Sequence, residues 1–324
     1  MAGVFGMTVF PLNKKLSILV PVLNEEESVS PFIDTITPII APLVQDYEII
    51  FISDGCTDNT IPLLRQRQQG DAHIRVIELS RNFGKEAALA AGLDFCTGDA
   101  CVPMDVDLQD NPAALPLMLE KWHAGFEIVY AARRSRAGDG FFKRVSAQLY
   151  YWMLGQIATS SIPYDVGDYR LIDRVAIDVL KNMPERTRFM RGLSSWIGFK
   201  QCAVEFARGA RAHGTTKYSI RKMVNFALDG ITGFSTLPLR AVIYLGIFVS
   251  SLSFVYLLAV LVDTLINGRD SPGYASLMVV ILFLGGVQLI ALGVIGEYLG
   301  RVFHETKRRP IYIARPEQKA SDNN

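Results

Sequence analysis

The chain has 324 residues, 33 basic against 32 acidic side chains, and a formal net charge of +1. That balance gives no argument for nucleic acid, and the length suits one sizeable α/β domain plus an appendage. Hydrophobic residues make up 50% of the chain, high for a soluble enzyme, and the excess falls late in the sequence.

Met1 to Leu12 is a mildly apolar stretch, and residues 1–14 read as an N-terminal leader outside the first domain. Lys14 and Lys15 come after that stretch rather than before it, so it does not read as a secretory signal. The cysteines, Cys56, Cys96, Cys101 and Cys202, have no paired ligand spacing and read as reduced, mostly buried thiols. The histidines, His73, His123, His213 and His304, are scattered, which argues against zinc.

Leu16 to Val20 is an apolar run closed by Pro21, predicting a buried strand and a turn. Asn24 then offers an N-cap, and Glu25 to Glu27 suit the positive end of a helix to about Ile40. Tyr47 to Ser53 is the second strand. Asp54-Gly55-Cys56-Thr57-Asp58-Asn59 turns the chain into a helix ending near Gln69. Ile74 to Leu79 is the third strand, followed by Ser80-Arg81-Asn82-Phe83-Gly84-Lys85 and a helix over Glu86 to Phe95. Ala100 to Met104 is the fourth. Strand and helix alternating at this spacing predict a parallel sheet, with the turns after the strands gathered on one edge. Neither Gly-x-Gly-x-x-Gly nor Gly-x-x-x-x-Gly-Lys-Ser/Thr follows the first strand, which disfavours Rossmann dehydrogenases and P-loop NTPases.

The fourth strand runs into Asp105-Val106-Asp107-Leu108-Gln109-Asp110. In extended backbone the carboxylates of Asp105 and Asp107 share one side. With no Lys or Arg between them they repel, and a divalent cation relieves that. Two carboxylates with the Gln109 amide oxygen form a hard donor set suited to Mg²⁺ or Mn²⁺. So few protein groups leave coordination positions for substrate phosphates.

Four blocks in this order resemble the family 2 glycosyltransferases with the GT-A fold: Pro21-Val22-Leu23-Asn24-Glu25, Ser53 to Asp58, Arg81 to Lys85, and Asp105 to Asp110. Asp165 to Leu171, Arg191 to Gly198 and Gly214 to Tyr218 narrow the likeness to polyprenyl-phosphate glycosyltransferases, closest to bacterial bactoprenol glucosyltransferases. Dolichyl-phosphate mannose synthases are more distant relatives. The likeness spans about Lys15 to Arg309. Ser53 and Cys56 are variants, since many relatives carry an acid and a serine there.

The resemblance implies that Pro21, Leu23, Asn24, Glu25 and Asp54 surround the base and ribose of a sugar nucleotide. Glu25 reads equally as a helix cap. Lys85 reads either as a helix-start residue or as a phosphate contact. Asp105, Asp107 and Gln109 would hold the metal against the diphosphate. Asp168, expected in a loop between helical stretches, falls where the family carries a catalytic acid, and with Asp107 it completes the predicted catalytic set. Alternatively it is an N-cap or a salt bridge to Arg170. Basic residues cluster at Arg133, Arg134, Arg136, Lys143 and Arg144, and again at Arg208, Arg211 and Lys217. They read as a cradle for an acceptor phosphate or for anionic lipid headgroups, against the alternative of a solvated basic loop. The mannose synthases support the first reading for Arg133 and Arg144.

Ser219 to Phe234 places Ile220, Met223, Val224, Ala227, Leu228 and Ile231 at helical spacing, with Arg221 and Lys222 opposite. This predicts an amphipathic interfacial helix over residues 219–236. Ala241 to Val262 and Ser271 to Gly296 contain no charged residue. Each exceeds the roughly 20 residues that span a bilayer, predicting crossings over about 239–262 and 273–298. Arg240 precedes the pair, and Arg301, Lys307, Arg308 and Arg309 follow it. The positive-inside rule then puts the catalytic domain (15–218), the tail (301–324) and both termini in the cytoplasm. Glu297 should lie at the interface or against Arg301. The glycines of the second span allow close packing and a homo-oligomer.

The expectation is an α/β GT-A domain with a two-helix membrane hairpin. Its reaction would be inverting transfer of glucose from UDP-glucose, with GDP-mannose or a UDP-aminosugar as the alternative donor, onto undecaprenyl phosphate at the bacterial plasma membrane. The competing reading is a catalytically silent lipid-binding subunit. A processive polysaccharide synthase is disfavoured, because Gln-x-x-Arg-Trp is absent and two spans cannot enclose a polymer channel.

Overall fold

The computed structural model describes residues 10–133, 166–183, 185, 188, 190–206, 237–267 and 273–316. Contacts divide the chain into two units, Met1–Ile220 with Arg309–Asn324, and Arg221–Arg308.

The first unit opens with β1 (Leu12–Val22), α1 (Glu26–Ile40), β2 (Val44–Ser53), α2 (Thr60–Gly70), β3 (Ile74–Glu78), α3 (Lys85–Phe95) and β4 (Ala100–Pro103). These match the expected elements within a few residues. A 3₁₀ turn (Pro112–Ala114) leads to α4 (Leu115–His123), β5 (Ile128–Arg133), β6 (Val166–Asp173), α5 (Arg174–Lys181), α6 (Met190–Trp196) and β7 (Gln201–Phe206). The seven strands form one sheet in the order β3-β2-β1-β4-β6-β5-β7. β1 is parallel to β2 and β4, and β2 to β3. β6 runs antiparallel to both β4 and β5. The parallel half therefore carries its turns on one edge, and β6 brings a strand back through that edge from the other direction.

Burial explains the sheet. Leu16, Ile18, Leu19 and Val20 of β1 are fully buried, as are Ile49 to Ile52 of β2. Continuous apolar runs mark strands covered on both faces. α1 buries Val29, Phe32, Ile33, Ile36 and Ile40, a single helical stripe. α3 is built from small residues, with Ala87, Ala88, Ala90, Ala91 and Gly92 all buried. A Cβ on Gly92 would lie 3.1 Å from Ile52 Cδ1 and 3.3 Å from Leu19 Cδ1. The helix thus lies close on β1 and β2, which fixes where its first residue, Lys85, stands.

Two expectations are corrected. Asp168 lies on β6, not in a loop. The segment Val166 to Asp173 alternates, with Tyr169 and Leu171 on one face and Asp168, Arg170 and Ile172 on the other. Burial of Arg170 at 5% exposure hides that alternation from a reading that expects charged residues outside. Asn24 is not the side-chain cap of α1: it has φ of 56°, and its side chain points to the next turn. Asn tolerates this left-handed backbone better than most residues.

In the second unit, α7 (Leu237–Asn267) and α8 (Tyr274–Thr306) are long, apolar and in contact with each other. Their large side chains face outward, with Phe248 66% and Leu265 77% exposed. Both pass the length and composition test for crossing a membrane, over Leu239–Val260 and Phe283–Thr306. Glu297 accepts from Arg301 at 3.2 Å, one helical turn on. The predicted amphipathic helix at 219–236 lies outside the described residues.

Gly55 ties two strand-end turns together. It has φ of +76°, and a Cβ there would sit 2.6 Å from the Asn82 nitrogen and 2.8 Å from the Arg81 carbonyl carbon. Backbone cannot yield to that as a side chain can. Gly55→Ala is expected to destabilise the domain by about 2 kcal/mol or more, read as a lower midpoint of thermal unfolding. An unchanged midpoint would mean that the two turns separate freely.

Candidate functional site

The turns after β1, β2 and β3 are stitched to one another. The Asn24 Oδ1 accepts the Thr57 N–H at 2.8 Å, and the Cys56 Sγ accepts the Asn24 N–H at 3.3 Å. Glu25 N–H donates to Thr60 Oγ1 at 2.9 Å, and the Glu25 carboxylate accepts from Ser28 Oγ at 2.9 Å. Asp54 is 4% exposed. Its Oδ1 accepts Phe83 N–H at 2.6 Å and its Oδ2 accepts Gly84 N–H at 2.9 Å. One carboxylate therefore holds the loop that leads into α3. Asp58 accepts Thr60 N–H at 3.1 Å, next to the start of α2, and so acts as a helix-start acceptor. Pro21 is half-buried while Leu23 and Asn24 stand exposed at the rim.

Beyond β4 the chain turns sharply, and Leu108 has φ of 55°, a strained conformation for a branched residue. Gln109 folds back on Asp107: its N–H donates to Asp107 Oδ1 at 3.2 Å, and its side-chain amide donates to Oδ2. Asp105 N–H donates to Asp110 Oδ2 at 3.3 Å. Asp105, Asp107 and Gln109 are brought into one short loop, all half-buried. Among the described residues no three His, Cys, Asp or Glu side chains converge as a metal cage. The donor chemistry still fits a hard cation held by one or two carboxylates, with substrate phosphates and water completing its shell. Turning the Gln109 amide over would present its oxygen beside Asp107.

Asp105 leads into a line of alternating charge. Its Oδ1 receives Lys85 Nζ at 2.6 Å, and the same Nζ lies 3.1 Å from Asp168 Oδ2. Asp168 accepts Arg191 Nε at 2.6 Å on Oδ1 and Arg191 Nη2 at 3.1 Å on Oδ2, a bidentate pair. Arg170 lies beside them and donates to Ser194 Oγ. Burial alone would raise the Asp168 carboxyl. The Arg191 hydrogen bonds, with the charges of Arg191, Lys85 and Arg170, outweigh it and hold Asp168 well below the usual carboxylate range. Burial likewise opposes the charge on Lys85, but Asp105 and Asp168 win and raise its pKa.

Two further carboxyls move the other way. Burial and the charge of Asp168 push Glu86 up to about 7. Burial and the charge of Asp105 push Asp110 up to about 7. The site therefore concentrates acid groups around one lysine, an arrangement that welcomes added positive charge.

The structure thus brings together Lys85, Asp105 and Asp168, keeps Asp107 and Gln109 in the same loop as Asp105, and stitches Asn24 and Glu25 to the turn after β2 and Asp54 to the loop that leads into Lys85. Arg133 closes β5. Arg136, Lys143, Arg144, Arg208, Arg211 and Lys217 lie outside the described residues. Sequence reasoning missed Arg191 as the partner of Asp168, although Arg191 opens the block Arg191 to Gly198 that carries part of the family likeness. It also missed Glu86 and Asp110, because nothing local shows that an acid beside Lys85 or Gln109 is buried. The thiols of Cys96 and Cys101 are free and buried, as expected, and those of Cys56 and Cys202 are free and half-buried.

A seven-stranded mixed sheet flanked by helices, with an acidic loop on its edge, has the GT-A architecture. The pattern for "Glycosyl transferase family 2" matches residues 17–180, and that for "GtrB C-terminal hairpin" matches residues 237–302. The chain belongs to the family 2 glycosyltransferases, with the GtrB-type C-terminal hairpin. It is 48% identical over 92% of its length to an uncharacterized glycosyltransferase of Synechocystis, covering 94% of that protein. It is 45% identical to the bactoprenol glucosyl transferase of Shigella phage SfV, covering 94% of this chain and 99% of the relative. A prophage bactoprenol glucosyl transferase homolog of Escherichia coli is 45% identical over 94% of this chain and all, 100%, of its own. Among solved structures, a glucosyl-3-phosphoglycerate synthase from Mycobacterium tuberculosis in complex with Mn²⁺ and UDP-glucose matches at a TM-score of 0.47 and 21% identity. That match covers 68% of this chain and 78% of the synthase, a likeness too slight to carry weight.

Glu86 supplies a stability test. Its pKa in the folded protein, about 7, stands above its ordinary value of 4.5. The folded state therefore keeps its proton longer, so the stability tied to Glu86 is full below about 4.5 and is lost as pH rises through about 7. The loss is about 3 kcal/mol at most. Glu86→Gln should flatten the fall in the thermal midpoint between those pH values, and at pH 8 should unfold no earlier than the wild type. A Gln variant less stable at pH 8, with the same pH slope as the wild type, would sink this account.

Proposed function

We propose that the protein transfers a hexose, glucose from UDP-glucose, onto a polyprenyl phosphate of the undecaprenyl type. The observation that carries this reading is the junction of an acidic sheet-edge loop, Asp105 to Asp110, with Lys85, Asp168 and Arg191, in a chain that also holds a GtrB-type apolar hairpin. The relatives named as bactoprenol glucosyl transferases support the choice of glucose and lipid.

The roles follow from the geometry. Pro21, Leu23, Asn24 and Glu25 line the rim where the base and ribose would lie, and Asp54 braces it from below. Asp105 and Asp107, with Gln109, would hold Mg²⁺ or Mn²⁺. When bound, that ion supplies Lewis-acid stabilisation to the departing diphosphate. Lys85, already shared by two carboxylates, sits where it can follow the same developing charge. The acceptor needs little help to attack: a phosphomonoester has a second pKa of about 6 and is largely dianionic at neutral pH. Asp168, held ionised by Arg191 and Lys85, has little tendency to take a proton. We therefore read it as the group that orients Lys85 and Arg191 for the two phosphates rather than as a strong base. Arg133, Arg136, Lys143, Arg144, Arg208, Arg211 and Lys217 complete the proposal as acceptor-phosphate and headgroup contacts. Direct displacement at the anomeric carbon would invert it.

In the same reading, residues 15–218, together with the start of β1 at Leu12 and the tail segment that pairs beside β3, form the catalytic domain, residues 219–236 lie in the interface, and α7 and α8 cross the bacterial plasma membrane as a hairpin. Residues before α7 and after α8 belong to one compact unit, which supports an even number of crossings, and the basic residues beside the spans, Arg240, Arg301 and Lys307 to Arg309, support the cytoplasmic side for both termini. The open faces of Gly285, Gly293 and Gly296 support a homo-oligomer.

Purified protein with undecaprenyl phosphate, Mg²⁺ and a panel of labelled sugar nucleotides tests the reaction. Label should enter the lipid phase from UDP-glucose, and Asp107→Asn or chelation should lower the rate about 100-fold or more. Labelling from GDP-mannose or a UDP-aminosugar instead would change the donor. Metal-independent labelling would remove the role given to Asp105 and Asp107. For topology, a Cys-less protein carrying Ser271→Cys should react with an impermeant thiol reagent from outside the cell, and one carrying Asn323→Cys only after lysis. The reverse pattern would overturn the orientation.

A further inference from the structure

After α8 the chain turns through Arg308, which has φ of 48°, and rejoins the first unit. Its last described residues dock on β3, the outermost strand of the sheet. Leu79 and Ala314 form an antiparallel bridge. On either side of it, Ser80 N–H donates to the Ile313 carbonyl at 2.8 Å, and Arg315 N–H donates to the Glu78 carbonyl at 2.7 Å. Tyr312 reaches further: its hydroxyl donates to Asp94 Oδ2 at 2.8 Å, and its ring lies 6.5 Å from that of Phe95. Burial and this bond to Asp94 raise the Tyr312 pKa.

Covering the free edge of β3 is one use for such a segment. That use needs only the ladder and gives no reason for the Tyr312 contact. The two sets of contacts have something else in common. Ser80 immediately precedes Arg81 to Gly84, the loop that Asp54 holds through Phe83 and Gly84. Asp94 lies in the last turn of α3, whose first residue is Lys85. The tail therefore grips both ends of the segment Ser80 to Phe95, which presents Lys85 to Asp105 and Asp168.

We propose that residues 310–315 are a positioning part of the donor site, holding the Ser80–Lys85 loop in the form that receives a sugar nucleotide. This rests on the reading of the site as one for a nucleoside-diphosphate sugar. The contacts that hold the tail are to Glu78, Leu79, Ser80, Asp94 and Phe95 rather than to Lys85, Asp105 or Asp168. Its action passes through the loop and α3. It also couples the donor loop to the stretch of chain that directly follows the second apolar helix.

The test uses the full-length protein in detergent micelles. Arg315→Pro deletes the N–H that bonds Glu78, and Arg315→Ala keeps it while removing the same side chain. Tyr312→Phe removes only the hydroxyl. With one such bond lost, Arg315→Pro should raise the KM for the sugar nucleotide about three- to tenfold while kcat stays within about twofold. Amide exchange across Ser80 to Lys85, followed without substrate, should quicken. Arg315→Ala should leave both unchanged, and Tyr312→Phe should raise KM in the same direction. Arg315→Pro behaving as Arg315→Ala in KM and exchange would overturn the proposal. A lower kcat with KM and exchange unmoved would overturn it too. If Arg315→Pro does not fold, Tyr312→Phe decides by the same two readouts. Should the wild type transfer no sugar at all, the functional reading fails, and the exchange comparison still decides whether the tail holds the loop.

Discussion

The site depends on one ammonium group. Lys85 stands between Asp105 and Asp168, and Arg191 closes the line on the far side. Without that alternation the loop after β4 and strand β6 would face each other with like charge. Glu86 and Asp110 already show the strain of that crowding, since burial and their ionised neighbours push both towards neutrality. The placement of Lys85 comes in turn from α3. Its alanines and Gly92 let it lie against β1 and β2, so its first residue opens at the sheet edge. Small residues in one helix thus set an electrostatic arrangement several elements away.

The charged line also explains the division of labour among the acids. Asp54 is spent on backbone amides and holds the loop that leads into α3. Asp168 is spent on two cations and stays ionised. Asp105 and Asp107 lie half-buried in the loop after β4, Asp105 against Lys85 and Asp107 against the amide of Gln109. For a reaction whose leaving group gathers negative charge, and whose nucleophile is already an anion, fixed positive charge matters more than proton transfer.

A lipid acceptor and a water-soluble donor must meet at one place. The apolar hairpin would hold the chain at the bilayer, and the segment that follows it returns to the edge of the catalytic sheet. Within the first unit, the segment after α8 therefore lies beside Leu79 and Ser80 although it is far from them in sequence. Leu79 and Ala314 are brought side by side by a chain that first passes through the whole hairpin.

Much of this was legible in the sequence. Apolar runs ending in polar turns marked the parallel strands, because buried strands need continuous hydrophobicity and their ends need backbone acceptors and left-handed turns. Asp105, Asp107 and Gln109 were legible for the same local reason, and so were the two uncharged stretches of α7 and α8. The sequence also ordered the blocks that place the chain among family 2 glycosyltransferases. It did not reveal that Asp168 stands on a strand, because buried Arg170 breaks the pattern of charge outside. It did not pair Asp168 with Arg191 or Asp94 with Tyr312, since those contacts join residues from separate elements and leave no periodic trace. Periodicity and composition record which face of an element is buried. Only the packed sheet, with β6 reversed beside β4 and the tail folded onto β3, decided which charges meet.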